Sequence, residues 1–216
     1  TLNYPDGPGE PDFWFVLDAA IAQEHADGWL ELIQPVSKDE TRRAAEELLT
    51  AAIGALRLAV DAIPGTTSVT AVGITSMGES GVLVGRDGTS VAPVIAWHDS
   101  RDREEVEALR RDIAADRFAA TTGKPLRGQW AITKHRWLLR HVPSAANAVR
   151  RFNIAEWIVH GLGGDEVTEL ALACRTGWLD LARCDWWTEG LAWSGAAPAL
   201  MPPLVEAGTP VGHITS

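Results

Sequence analysis

The chain has 216 residues, 46% hydrophobic and 22% charged, the make-up of an ordinary globular domain long enough to bury a sizeable core. Its 19 basic and 29 acidic residues leave a formal net charge of -10, which disfavours nucleic-acid backbones and anionic membrane surfaces but leaves room for a local basic patch and an anionic small ligand. No run approaches the roughly 18 apolar residues of a membrane span, no basic-then-apolar signal opens the chain, and the two cysteines, Cys174 and Cys184, lack metal-ligand spacing and favour a reducing, cytoplasmic setting.

In chain order, residues 1–12, TLNYPDGPGEPD, form an irregular lead-in rich in Pro, Gly and Asp. The apolar run over 13–33 fits helix or strand. Ser37 and Glu40 of SKDE predict a capping box. A long helix follows, with Ala45, Leu48, Leu49, Ala52, Leu56 and Ala59 on one face and Pro64-Gly65 as its stop. SVTAVGIT (68–75) is β-branched and predicts a strand. GVLV and VAPVIAW predict two more strands, joined by the turn GRDG.

A helix is expected from Asp99 or Ser100 through DREEVEALRRDIAADRF, its first turn acidic, as the positive helix end favours. TTGKPLRGQ is a loop, WAITKHRWLLRH a helix ending near Pro143, and RRFNIAEWIVHGLGG a brief strand passing into a helix. TELALACRTGWLDL and WWTEGLAWSG are helical or partly so, and PALMPPLVEAG is a Pro-broken connector. Helix, strands and then helices make an α/β domain with a mixed sheet. The chain starts at Thr1 and ends at Ser216 in TPVGHITS, which reads as a strand entered rather than finished, so a piece of a longer protein is expected.

The polar ends of the GVLV–VAPVIAW hairpin carry the candidate chemistry. Trp97 and Asp99 end the second arm, in the kind of strand-end loop where α/β proteins place ligands. A ring beside a carboxylate suits a sugar, with its apolar face and hydroxyl rim. Asp99 is equally a helix N-cap with Arg101 paired to a nearby acid, and Trp97 equally a core ring at a sheet end. Glu79, between Gly78 and Ser80, suits two neighbouring hydroxyls, or is a solvated turn residue. Most of the ten tryptophans are assigned to packing. His135 and His141 share a helix but not a face, no HExxH, GxSxG, GxGxxG or Walker lysine loop is present, and GLGG (161–164) is a helix stop.

Taken together, GITSMGESGVLVGRDGTSVAPVIAWHDSR resembles the sugar-binding segment of the FGGY carbohydrate kinases. TGKPL, KHRWLLRHVP, FNIAEWIVHGLGGDEVTELALACRTGWLDL, DWW and PPLVEAGTPVGHIT continue the match in family order. The resemblance covers roughly residues 67–216; residues 1–66 match poorly beyond a helix in the expected place. It implies a ribonuclease H-like domain of the actin/hexokinase type, here incomplete, so that 1–216 is a single partial N-terminal sugar-binding domain. It implies transfer of the ATP γ-phosphoryl group, with Mg2+, to a hydroxyl of a sugar or polyol. By the same resemblance Gly78, Glu79, Trp97, Asp99 and Gln129 fall on substrate-binding positions. The partners so implied are a small sugar or polyol and a second copy in a homodimer, with no nucleic acid and no membrane.

The departures are specific. The family's opening Asp-x-Gly-Thr hairpin is missing, and its general-base aspartate is expected beyond Ser216. No catalytic residue is therefore expected within the chain, no metal ligand is assigned, and the chain alone is expected to be inactive. Met77-Gly78-Glu79 replaces the Gln-Met-His of xylulose kinases, and Gly78-Glu79 replaces the Arg-Glu of glycerol kinases, so a cation is lost. The alternatives are a sugar-binding or regulatory module without kinase activity, and an acidic structural domain whose hairpin ends are merely caps.

Overall fold

The computed structural model describes residues 38–63, 65 and 69–214, with side chains from Ala45 onward. The lead-in, the apolar run over 13–33, the capping box and the Pro64 stop lie outside the described residues. Helix α1 (Lys38–Asp61) forms where the Ala- and Leu-rich repeat predicts it. Ala45, Leu48 and Ala52 are buried on its inner face, against helix α5 (Ile154–Gly161). There the Trp157 indole donates to the Ala45 carbonyl at 2.7 Å.

Strand β1 (Gly81–Val84) pairs antiparallel with β2 (Arg150–Asn153), Val82 opposite Phe152. Side chains alternate across a strand, and this one divides two cores. Val82 and Val84 join Phe152, Trp157 and the α1 face, while Leu83 joins the larger core built on Phe118, Ile132 and Trp178. Asn153 caps α5 in a reciprocal box with Glu156.

The turn after β1 closes as expected. Gly88 adopts φ +75°, which a side chain would resist, and the Gly85 amide donates to the Thr89 carbonyl at 2.9 Å. The hairpin then opens after a single bridge, Val84 to Ser90. VAPVIA runs on largely buried but without a ladder, and Pro93 has no amide hydrogen to give one. The expected strand over 68–75 likewise has no ladder across 69–75 among the described residues. It flanks a groove of about 540 Å³ facing α5 and residues 205–214, and among the described residues no strand pairs with it.

The helix expected beyond Asp99 is two helices, α2 (Arg103–Asp112) and α3 (Ala115–Thr122). The chain breaks at Ala114, φ +69°, and both Ile113 and Phe118 reach the core across that corner. Helix α4 (Ala131–His141) ends before Pro143, which opens a 3-10 turn over Pro143–Asn147. Next come β3 (Thr168–Glu169) and the single-turn helix α6 (Leu170–Ala173). Strands β4 (Leu179–Asp180) and β5 (Asp185–Trp186) pair antiparallel, and helix α7 (Thr188–Ser194) follows. After a 3-10 turn at Pro198–Leu200, β6 (Leu204–Val205) lies parallel to β3. Parallel and antiparallel pairs thus coexist, but as three two-stranded sheets among the described residues. Cys174 and Cys184 are free thiols.

Candidate functional site

The site begins where the chain leaves the core after Ala96. The Asp99 amide donates back to the Ala96 carbonyl at 3.1 Å and turns the backbone. Asp99 Oδ1 accepts from the Arg101 amide at 2.9 Å, and Oδ2 accepts from Arg101 Nε and Nη2 at 3.0 and 2.7 Å. Asp99 is therefore not the helix cap. That place falls to Asp102, whose side chain makes no cap bond. Burial pushes the Asp99 carboxyl up, but the hydrogen bonds and charge of Arg101, with the charge of Lys134, outweigh it and hold the group below its ordinary value.

Trp97, Asp99 and Gln129 line one pocket of about 570 Å³, with Val106 and Arg127 on its wall. Trp97 is 46% exposed, whereas every other described tryptophan is buried or half-buried. It is thus the tryptophan that packing does not account for.

Beneath the pocket lies a buried polar knot. Lys134 Nζ donates to the carbonyls of Asp99 and Gly128, each at 2.7 Å, and to Asp102 Oδ1 at 3.4 Å. Thr133 Oγ1 donates to Asp102 Oδ2 at 2.6 Å. One ammonium thus ties together the loop of Asp99 and the loop of Gln129. Burial draws the Lys134 ammonium down and the Asp102 carboxyl up, each only partly restrained by the other's charge.

Glu79 and Gly78 stand on the other side of this knot. Glu79 is buried and borders a cavity of about 20 Å³ shared with Lys134, His135, Arg151 and Trp178. It does not line the pocket of Trp97, Asp99 and Gln129; Lys134 lies between the two. Arg175 Nε donates to Glu79 Oε1 at 2.8 Å, and Arg175 Nη2 donates to the same oxygen. Arg151, wholly buried, is drawn down to about 10 by burial, against the opposing charge of Glu156.

Lys134, Asp102 and Arg175 were not among the residues singled out from the sequence. Lys134 had a readable signal: it shares helical spacing with the buried Ala131, His135 and Leu138, where a lysine is out of place unless partnered. Arg175 had none, because it reaches Glu79 from a segment far along the chain. Among the described residues, no three His, Cys, Asp or Glu side chains cluster so as to hold a metal ion, and no helix is long and apolar enough to cross a membrane.

The profile of the FGGY family of carbohydrate kinases, N-terminal domain, matches residues 19–216. A glycerol kinase of Aromatoleum aromaticum is 35% identical over 149 residues, 65% of this chain and 30% of that kinase. A glycerol kinase of Rhizorhabdus wittichii is 32% identical over 205 residues, 87% of this chain and 38% of that kinase. The chain therefore spans about a third of the length of these curated relatives. The crystal structure of gluconate kinase from Lactobacillus acidophilus superposes with a TM-score of 0.70 at 22% identity, covering 78% of this chain and 35% of that one, a likeness of fold.

Proposed function

Because the chain belongs to the FGGY family of carbohydrate kinases, we propose that the intact protein transfers the γ-phosphoryl group of ATP, with Mg2+, to a hydroxyl of a sugar or polyol, and that this chain supplies most of the sugar-binding domain. The observation that carries the reading is the convergence of Trp97, Asp99 and Gln129 on one pocket. An exposed indole offers a flat apolar wall to the C–H face of a sugar. A carboxylate accepts from hydroxyls, and an amide both accepts and donates. Arg101 keeps Asp99 ionised and so an acceptor. Glu79 supplies a second carboxylate beyond the knot.

Mg2+ and ATP supply charge neutralisation and the transferred group. The described residues form no cluster fit for the metal, so no step through it is assigned to this chain. Its own residues bind and orient the hydroxyls and exclude water from one side of them. Glycerol leads the substrates to be tried, as the relatives named above are glycerol kinases; replacement of the glycerol-kinase Arg-Glu by Gly78-Glu79 keeps D-xylulose and D-gluconate on the list.

The test is ADP release by the full-length protein with ATP, Mg2+ and glycerol, D-xylulose or D-gluconate in turn. Turnover with at least one is expected, and none from the 216-residue chain alone. A full-length protein that binds a sugar but releases no ADP above its blank would replace the kinase reading with that of a sugar-binding module.

A further inference from the structure

Glu79 owes its pose to a residue that follows α6. Two donors of the Arg175 guanidinium, Nε and Nη2, go to Glu79 Oε1. Neither Glu79 Oε2 nor Arg175 Nη1 is used in the pair. The Glu79 side chain is 7% exposed and that of Arg175 45%, so the acid is buried and the cation half-exposed.

Position 78 is shaped by the same contact. A Cβ on Gly78 would stand 2.5 Å from the Leu172 carbonyl oxygen and 2.7 Å from Arg175 Cβ. The first of these is backbone and cannot swing aside, so the turn carrying Arg175 occupies the space a side chain at 78 would need. On its other side the guanidinium lies 5.6 Å from the centre of the Trp130 ring, whose indole donates to the Pro125 carbonyl at 2.7 Å. Arg175 thus touches Glu79 and also the neighbour of Gln129. The turn that bears it is fixed by α6, where the Glu169 carboxylate accepts from the Ala171 and Leu172 amides at 2.6 and 2.9 Å.

We propose that Arg175 is the positioning residue for the Glu79 carboxylate and a determinant of substrate choice, supplying from the turn after α6 the cation that position 78 cannot provide. The proposal rests on the substrate reading of Glu79 given above. With Oε1 held by Arg175, Oε2 is left to accept from a ligand hydroxyl. The Glu79–Arg175 pair is formally neutral, so it favours a neutral polyol over a sugar acid, whose carboxylate would compete with Glu79 for the guanidinium.

The experiment compares the full-length wild type with Arg175→Met and Arg175→Lys, using glycerol, D-xylulose and D-gluconate as probes in ADP release. Loss of a hydrogen bond to a charged group predicts a rise of roughly tenfold to a hundredfold in the polyol KM of Arg175→Met. The KM for ATP stays within a factor of about two, as befits a residue confined to the polyol end. Arg175→Lys keeps the charge but loses the fork, and recovers part of the polyol KM. A residue of purely structural importance would lower the melting temperature and leave the polyol KM where it was. An unchanged polyol KM in Arg175→Met, or an equal rise in the KM for ATP, overturns the proposal while leaving the kinase reading standing. A wild type that prefers D-gluconate overturns the neutral-polyol selection. A wild type inactive on all three overturns the substrate reading and this proposal with it.

Discussion

Replacing His135 by Leu should flatten the acid limb of this protein's stability. The imidazole is 4% exposed, and neither ring nitrogen has a hydrogen-bond partner among the described residues. Its ring meets Trp178 edge to face, centroids 5.5 Å apart. Burial, and then the charge of Arg151, draw its pKa from 6.5 down to about 4. The folded state therefore resists a proton that the unfolded chain accepts. Stability is complete above pH 6.5 and falls as the pH drops toward 4, because the unfolded state binds more protons throughout that window. At 1.36 kcal/mol per unit, this one group costs about 1.4 kcal/mol at pH 5.5 and about 2.6 kcal/mol at pH 4.5. Urea unfolding of the wild type and His135→Leu at pH 7.5, 5.5 and 4.5 measures it. Other carboxylates titrate alike in both proteins, so the difference between the two curves isolates His135. The variant should be at least as stable at pH 7.5, since no hydrogen bond is lost, and should gain on the wild type by those amounts at lower pH. Parallel curves would mean that His135 is protonated in the folded protein, and would refute the reasoning.

Three further outcomes are expected. Lys134→Met leaves Asp102 buried without its cation and should cost about 3–5 kcal/mol in urea unfolding; Lys134→Met combined with Asp102→Leu should recover a large part of that loss. Gly78→Ala drives a methyl into the Leu172 carbonyl and should cost about 1–3 kcal/mol, with the melting temperature falling accordingly. In the full-length protein, Glu79→Gln and Asp99→Asn should each weaken polyol binding by about 1.5–3 kcal/mol; unchanged affinity in both variants, by calorimetry with the best substrate, would remove these two residues from the site.

Helices with a strong apolar period were legible, because their burial follows from spacing alone: α1 and α4 lie where Leu48 and Ala52, or Ala131 and Leu138, repeat. The strands over 68–75 and 91–97 were not, because β-branched composition signals an extended chain but not its partner. The partner of GVLV is RRFN, far along the chain, rather than the neighbouring arm that Pro93 weakens. The break at Ala114 had no local cue, as neither Gly nor Pro marks it. At the site, the ordered motifs singled out Trp97, Asp99 and Gln129, which share a pocket. Lys134 was legible as a lysine on the buried face of its helix, whereas Arg175 came only with tertiary structure, since a pair distant in sequence leaves no spacing to read. The family match itself begins at residue 19, well ahead of the motifs from 67 onward.

The parallel pair of β3 and β6 is only two residues long on each side, yet it fastens both ends of the segment 170–203. The segment between, including the Arg175 turn and Trp178, closes a long loop at that clasp and is held again in the larger core, where the Ile132 amide donates to the Thr176 carbonyl at 3.0 Å. Contacts of this range form late in folding. Opening the clasp together with that anchorage would release Arg175 while α1, β1, β2 and α5 keep their own core. Glu79 and Arg175 thus belong to units that open at different free energies. A ligand gripping both would act as a second fastener, and its stabilisation would fall on the segment that closes last.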